Sequence, residues 1–262
     1  MRSTAADESA AGPDSRPPVF LADPADLARD VIVLSGPEGR HAATVRRLSP
    51  GERVDLTDGA GTVAECVVTG TRAATLELAV RARRTDPAPQ PAVVVAQAIP
   101  KGDRGQLAVE MLTEAGVDAV VAWQAERCVT RWHGDRGERS VSRWQATARE
   151  AAKQSRRSRI PEVTGPVATA VLARRAAAAA LAVVLDPTAR DSLASLPLPA
   201  TGDILLAVGP EGGISAAETA ALTGAGAVPA HLGPTVLRTS TAGIVAVSVL
   251  LSRCGRWAQG MP

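Results

Sequence analysis

The chain has 262 residues and a formal net charge of +2 at pH 7. No apolar run approaches the roughly 20 residues of a membrane-spanning helix, and the polar N-terminus has no apolar signal-peptide centre, so we expect a cytoplasmic protein without membrane contact. The three cysteines, Cys66, Cys128 and Cys254, are scattered along the chain, which argues against a disulfide framework and predicts that no metal is bound.

Turn residues and composition divide the chain into four parts. Residues 1–17 are rich in Ala, Ser, Pro and charge and are expected to be a disordered tail. Residues 18–84 are expected to form a small β-rich domain, in which Gly36-Pro37-Glu38-Gly39 is interpreted as an ordinary turn. Its β-prone runs extend from Val31 to Leu34, Arg53 to Thr57, Val63 to Val68 and Thr75 to Ala82. The proline-rich residues 85–91 predict a stiff linker.

Residues 92–262 alternate apolar runs with helical stretches. This alternation predicts an α/β domain with a parallel sheet and helices on both faces. One predicted helix extends from Arg104 to Ala115 and ends at Gly116. The expected strands extend from Val93 to Ala98, Val117 to Ala122, Leu181 to Leu185, Ile204 to Val208 and Val228 to Leu232.

A strongly basic stretch lies between Arg127 and Arg159, with ten basic residues and three acids. Such an excess is typical of a surface that binds the phosphates of a nucleic acid, although a solvated helix face has the same composition. Trp132 and Trp144 lie inside the stretch, and we expect each to anchor its helix in the core. In the N-terminal part, Arg16, Arg46 and Arg47 are further candidates for phosphate contact.

Two glycine-proline loops near the C-terminus are the most informative feature. Each follows a predicted strand and precedes a predicted helix, where α/β sheets bind ligands, and their glycines allow a backbone to approach a ligand closely. The absence of a following Gly-Lys-Ser/Thr excludes a triphosphate cradle. The same pattern also fits tight connections of an ordinary doubly wound domain. The loops are Gly209-Pro210-Glu211-Gly212-Gly213 and Leu232-Gly233-Pro234-Thr235-Val236-Leu237-Arg238-Thr239.

Capping signals follow both loops. Ser215 and Glu218 form a capping-box pattern, so a helix is expected to start near Ala216 and end near Gly224 or Gly226. After the second loop, Ser240 or Thr241 is the expected N-cap of a buried apolar helix.

Three further blocks lie upstream of the two loops. They are Lys101-Gly102-Asp103-Arg104 with Thr113-Glu114-Ala115-Gly116-Val117, Glu126-Arg127-Cys128, and Glu150-Ala151-Ala152-Lys153-Gln154-Ser155-Arg156-Arg157 with Pro161. In their order along the chain, the five blocks resemble the RsmE-type 16S rRNA uridine N3-methyltransferases of the SPOUT superfamily. The resemblance extends from about Val19 to the last helix. One departure is Ser240, where the family usually has glutamate.

The resemblance implies a knotted SPOUT-type methyltransferase domain over 92–262 and a PUA-like RNA-binding barrel over 18–84. It also implies S-adenosylmethionine as the cofactor, 16S rRNA in the small ribosomal subunit as the substrate, and a homodimer. The residues expected around the cofactor are Leu185, Val208, Gly209, Glu211, Gly213, Leu232, Gly233 and Leu237. Those expected to bind RNA are Arg16, Arg46, Arg47, Arg127, Arg156 and Arg157.

Uracil N3 holds its proton at neutral pH, so methylation there requires proton abstraction or stabilisation of the developing anion. The chain has no tyrosine. The candidate catalytic groups are therefore Glu211 and Arg238, whose guanidinium can donate paired hydrogen bonds to a uracil carbonyl. His231 borders the second loop, where packing is an equal explanation.

Two alternatives stay open. A related knotted enzyme could methylate the ribose 2'-hydroxyl instead, or the protein could be a non-catalytic ribosome-assembly factor. The retained glycines weigh against the second alternative, because glycine raises the conformational cost of folding.

Overall fold

The computed structural model describes residues 17–258, so Arg16 and the predicted tail up to residue 16 lie outside the described part. The chain divides into two compact units. The first contains the described residues up to Asp58 together with Thr62–Arg84, and the second contains Gly59–Gly61 and the chain from Thr85 onwards.

The first unit is built on a five-stranded mixed sheet in the order β1-β3-β4-β5-β2. β1 pairs with β3 in parallel, whereas the β3–β4 and β2–β5 pairs are antiparallel. Alternate residues of these strands are buried, and Phe20, Ile32, Leu56 and Leu78 are among the side chains of the core. The strands are β1 (Val19–Leu21), β2 (Val31–Leu34), β3 (Arg53–Thr57), β4 (Thr62–Arg72) and β5 (Thr75–Thr85), with helices α1 (Pro24–Leu27) and α2 (Gly36–Arg40) and a π-helical turn at His41–Val45.

The turn predicted at residues 36–39 is wrong, because these residues form α2. Pro37 occupies the first helical turn, where the missing N–H costs nothing. Gly39 is buried against the carbonyl of Leu34, and an added Cβ would collide with that oxygen. The glycine therefore serves close helix–strand packing.

The second unit contains a six-stranded, all-parallel sheet in the order β11-β9-β10-β6-β7-β8. The five predicted strands are confirmed. β8 was not predicted, because Gly165 and Pro166 interrupt its sequence; an edge strand tolerates both. The strands are β6 (Ala92–Ala98), β7 (Ala119–Trp123), β8 (Glu162–Val167), β9 (Leu181–Leu185), β10 (Asp203–Val208) and β11 (Val228–Ala230).

Helices cover both faces of this sheet, as predicted. Two groups pack together, α3 with α4 and α7, and α5 with α6. The crossovers through α3 and α4 run across the sheet in one direction, and those through α5 and α6 run in the other. Right-handed crossovers therefore place these two pairs on opposite faces, and α7 packs on α3. The helices are α3 (Arg104–Ala115), α4 (Gly134–Gln154), α5 (Thr169–Ala178), α6 (Ala216–Gly224) and α7 (Thr239–Arg253).

Close packing of α3 on α4 depends on one glycine. A Cβ at Gly105 would lie 2.5 Å from Cζ2 of Trp144. Trp144 also packs edge to face on Trp132, with ring centroids 4.9 Å apart. Both indoles are buried, which confirms that they lie in the core, and Trp144 anchors α4 as predicted. Trp132 lies before α4, so the prediction that it anchors a helix of its own is wrong.

The capping predictions have different outcomes. Ser215 and Glu218 form the expected capping box of α6, which spans the expected residues. The N-cap of α7 is Arg238, without a side-chain cap bond, so the prediction of Ser240 or Thr241 is wrong. Ser240 lies buried inside the first turn. The knot implied by the resemblance stays a prediction. No helix within residues 17–258 has the length and apolar character to cross a membrane.

Candidate functional site

A cavity of about 690 Å³ opens at the carboxyl ends of β9, β10 and β11. The crossovers leave the neighbouring strands β10 and β6 in opposite directions, and open α/β sheets bind ligands next to such a reversal. The two glycine-proline loops form much of its wall. All eight residues expected around the cofactor line the cavity: Leu185, Val208, Gly209, Glu211, Gly213, Leu232, Gly233 and Leu237.

The loop positions require glycine for different structural reasons. Gly213 and Gly233 adopt φ angles of +74° and +128°, which side chains rarely adopt. An added Cβ at Gly209 would instead lie 2.6 Å from Cγ1 of Ile214. Packing within the loop therefore also requires a glycine at position 209, and the expectation that Gly209 lets the backbone approach a ligand stays a prediction.

The cavity wall is apolar with a few polar groups. Val184, Leu185, Val208 and Leu232 contribute aliphatic surface. Asp186, which sequence reasoning missed, adds a carboxylate directly after β9; its Oδ1 accepts hydrogen bonds from the backbone and hydroxyl of Thr188. The signal available in the sequence was its position immediately after a predicted strand.

Glu211 is held where the first loop meets the start of α3. Its Oε1 accepts a hydrogen bond from the backbone N–H of Lys101 at 3.3 Å and lies 3.7 Å from Nη1 of Arg104. Arg104 also lines the cavity. The sequence placed Arg104 in a family block but assigned it no role, and only the fold brings it to Glu211.

Arg238 and His231 differ in how the structure uses them. Arg238 is exposed at the cavity, and its guanidinium has no hydrogen-bond partner within residues 17–258. The backbone N–H of Gly233 donates to Nδ1 of His231 at 3.0 Å. His231 therefore orders the second loop, whereas the Arg238 guanidinium is free to bind a ligand.

The carboxylate of Glu218 joins three elements beneath the site. It is 5% exposed and accepts hydrogen bonds from the backbone N–H of Glu126 at 2.8 Å and from Oγ1 of Thr169 at 2.7 Å. That hydroxyl accepts a bond from Nε1 of Trp123. Glu218 is therefore both a helix cap and a tie between α6, α5 and the segment after β7.

The expected RNA-binding arginines occupy unlike environments. Arg46, Arg47 and Arg156 are exposed. Arg127 is exposed too, but its Nη1 donates to the carbonyl of Gly212 at 3.0 Å, which fastens the first glycine-proline loop. Arg16 lies outside the described residues.

Arg157 was expected to bind RNA, but its guanidinium is hydrogen-bonded to backbone carbonyls of its own chain. Its guanidinium donates to the carbonyls of Thr113 at 2.7 Å and Val117 at 2.8 Å, on either side of the α3–β7 connection. Burial lowers the pKa of Arg157 to about 10, while the nearby charge of Asp118 opposes this shift. The guanidinium therefore binds groups inside the protein and not a phosphate.

Three other arginines form a row on α4. Arg136, Arg139 and Arg143 are exposed and lie on one helix face, because their spacing is three and four residues. The opposite face, with Val141 and Trp144, is buried. The row is the part of the basic stretch with the geometry of a phosphate-binding surface.

Thiol and metal chemistry have no support in the described residues. Burial raises the pKa of Cys66 to about 11 and also raises that of Cys128, so neither thiol is an activated nucleophile. No group of three or more His, Cys, Asp or Glu side chains between residues 17 and 258 is arranged to hold a metal ion.

The second unit is a parallel α/β unit with an apolar cavity at the carboxyl ends of its strands, charged groups beside it and a row of exposed arginines. This arrangement is typical of a protein that binds both a small molecule and a nucleic acid. Comparison with models of protein families identifies two domains in the chain. An RNA methyltransferase domain matches residues 86–251, and an RNA methyltransferase PUA domain matches residues 34–79. The chain belongs to this RNA methyltransferase family.

Individual relatives agree. The chain is 46% identical over 243 residues to the ribosomal RNA small subunit methyltransferase E of Mycobacterium bovis, covering 91% of this chain and 93% of the relative. The enzyme of that name from Bacillus subtilis is 29% identical over 226 residues, covering 83% and 88%. A methyltransferase structure from Legionella pneumophila with bound SAM matches at a TM-score of 0.79 and 28% identity, covering 91% and 98%.

Proposed function

We propose that the protein transfers a methyl group from S-adenosylmethionine to N3 of a uridine in 16S rRNA of the small ribosomal subunit. The observation that carries this proposal is the convergence of the two glycine-proline loops, which resemble the signature loops of the family, on one cavity with Arg238 and Glu211 in its wall. The names of the relatives support ribosomal RNA as the substrate.

The cavity fits the cofactor. Its volume of about 690 Å³ lies within the usual range for small-molecule sites. Aliphatic walls suit the adenine, and the carboxylate of Asp186 suits hydroxyl or ammonium groups. A Cβ added at Gly233, where φ is +128°, would meet no atom within 4 Å, so there is open space beside the loop. When bound, S-adenosylmethionine supplies an electrophilic methyl group on a positive sulfur.

The chain's own groups prepare the acceptor. Glu211 can take the N3 proton, and Arg238 can donate two hydrogen bonds to the uracil carbonyl, where negative charge accumulates. The N3 electron pair then forms the new bond to the methyl carbon, the carbon–sulfur bond breaks with its electrons remaining on sulfur, and the proton leaves on Glu211. We keep Glu211 and Arg238 as the proposed catalytic residues.

Binding of the RNA is assigned to exposed cations. The arginine row of α4 (Arg136, Arg139 and Arg143), with Arg46, Arg47, Arg127 and Arg156, offers phosphate contacts, which position an RNA without reading its sequence. The unit around residues 18–84 would hold RNA and residues 92–262 would carry out transfer. Because ribosomal RNA is the proposed substrate, we place the protein in the cytoplasm.

We further propose a homodimer through α7. One side of α7 is buried in its own chain, while Val245 is 37% exposed and Ile244 and Val249 are half-buried. A second copy can cover this apolar side in a two-fold contact. Thr239 and Ala242, at the start of α7, line the cavity, so a partner there would lie near the cofactor.

Arg238→Ala tests the catalytic assignment. We expect the rate of methyl transfer to purified small subunits to fall about 100-fold, because a donor aimed at developing charge is lost. Cofactor affinity by calorimetry and RNA affinity by filter binding should change little. Arg238→Lys keeps the charge but loses the paired donors, so it should rescue only part of the rate. A rate loss matched by an equal loss of RNA affinity would make Arg238 a phosphate contact instead.

A further inference from the structure

A second cavity of about 630 Å³ adjoins the cofactor cavity and has no assigned ligand. Arg104 and Glu211 line both cavities, so the two spaces share a wall. The carboxylate of Glu211 stands in that wall, held by the Lys101 N–H and by Arg104. A molecule in the second cavity therefore reaches the group proposed to accept the N3 proton.

Two exposed aliphatic side chains form part of the wall of the second cavity. Leu107 on α3 is 47% exposed and Val129 is 73% exposed, and both line it. Aliphatic side chains of this kind provide contact for the flat face of a base, whereas phosphates need none. The same cavity is lined by the exposed cations Lys101 and Arg104 and by the exposed carboxylate of Asp103, and Arg104 is paired with Glu211.

We infer that this second cavity is the pocket for the acceptor nucleotide. The base would contact Leu107 and Val129, its N3 edge would face Glu211, and Lys101 would pair with the attached phosphate. The inference rests on the proposed function and adds to it the site of the flipped-out pyrimidine nucleotide. An apolar face combined with the exposed ammonium of Lys101 fits a nucleotide better than an apolar protein segment, which would bring no partner for that charge.

The test fills the cavity without touching the cofactor cavity. Val129→Trp adds bulk at a highly exposed position that is absent from the cofactor cavity wall, so the fold should be retained. Val129→Ala removes the apolar contact without adding bulk. Ala177→Trp, at an exposed position of α5 that lines neither cavity, is the control for an added surface indole.

Each variant is assayed for S-adenosylmethionine binding by calorimetry and for kcat/KM of methyl transfer to small subunits. We expect Val129→Trp to lose at least about tenfold in kcat/KM, equivalent to about 1.4 kcal/mol, with unchanged cofactor affinity. Val129→Ala should lose less, and Ala177→Trp should lose nothing. Wild-type activity with an undiminished Val129→Trp rate would overturn the pocket and leave the proposed function standing. Absence of wild-type transfer would overturn both.

A second measurement tests proximity directly. A photoreactive benzophenone side chain replaces Leu107, and the full-length protein is irradiated with unmethylated small subunits. The cross-linked nucleotide, mapped by primer extension, should be the one the wild-type enzyme methylates or its immediate neighbour. Cross-links confined to distant nucleotides, or to protein, would contradict the assignment.

Discussion

At the scale of single residues, the two arginines at positions 156 and 157 show how a charge pattern misleads. Both belong to one basic stretch, yet Arg156 is exposed, whereas the Arg157 guanidinium satisfies two backbone carbonyls between α3 and β7. The sequence shows only that both residues are basic. The direction of each side chain depends on where α4 ends and on the left-handed backbone conformation of Arg156, whose φ is +57°.

Arg157→Ala should lower stability while leaving RNA binding intact. Hydrogen bonds from a charged donor contribute about 1.5 to 3 kcal/mol each, and we expect a loss of about 2 to 3 kcal/mol in urea unfolding. Arg156→Ala is the control, with a change within about 0.5 kcal/mol. The salt dependence of RNA binding should flatten for Arg156→Ala only. If Arg157→Ala instead flattens the salt dependence of RNA binding and leaves stability unchanged, Arg157 is an RNA-binding residue after all.

Residue motifs nevertheless located the candidate site well. The eight predicted residues of the cofactor set come from strand ends and from the two loops, and the parallel sheet brings these ends to one edge. Asp186 and Arg104 were missed for different reasons. Asp186 belongs to no glycine motif. Arg104 lies 107 residues before Glu211 in the chain, so only the tertiary structure shows that Arg104 and Glu211 are close together.

At the scale of elements, the site depends on how the segment after β7 is tied to the first loop. The carboxylate of Glu218 accepts a hydrogen bond from the backbone N–H of Glu126, and the guanidinium of Arg127 donates one to the carbonyl of Gly212. One buried carboxylate thus orders the helix that follows the loop and also the segment that packs on it. Its role as a cap was predictable from spacing, but its bond to Thr169 was not.

Glu218→Gln tests this tie. The substitution keeps the size of the side chain but removes the charge that strengthens its hydrogen bonds, and we expect a loss of about 1 to 3 kcal/mol in unfolding free energy. Cofactor affinity should weaken as well, because the first loop loses its support. Glu114→Gln, an exposed change on α3, is the control. Equal urea midpoints and equal cofactor affinities for the two variants would show that Glu218 is only a replaceable cap.

Most elements followed from the sequence, and the exceptions have physical causes. Apolar runs bounded by turn residues predicted the central strands, since buried parallel strands are almost continuously apolar. β8 escaped because an edge strand is not uniformly apolar, and α2 escaped because its Gly-Pro sequence has the composition of a turn. α7 starts at Thr239, earlier than predicted, because its N-cap residue Arg238 makes no side-chain cap bond and therefore gives no capping signal in the sequence.

At the scale of the whole molecule, the half-exposed apolar side of α7 predicts a dimer. Val245→Glu places a charge on that side, where burial without a partner is costly, and should yield a monomer by light scattering at micromolar concentration. Val33→Glu, on the exposed side of β2, should leave the assembly unchanged. A wild-type protein that is monomeric and fully active would refute the proposal.

The central claim is the identity of the methylated atom, and nucleoside mass spectrometry of methylated subunits tests it most directly. Small ribosomal subunits from a strain lacking this protein are incubated with purified enzyme and S-adenosylmethionine, and their RNA is then digested to nucleosides. Our account predicts one new product, 3-methyluridine, formed by wild-type protein and strongly reduced with Arg238→Ala. A ribose-methylated nucleoside, or no methylated nucleoside from any form of the subunit, would contradict it.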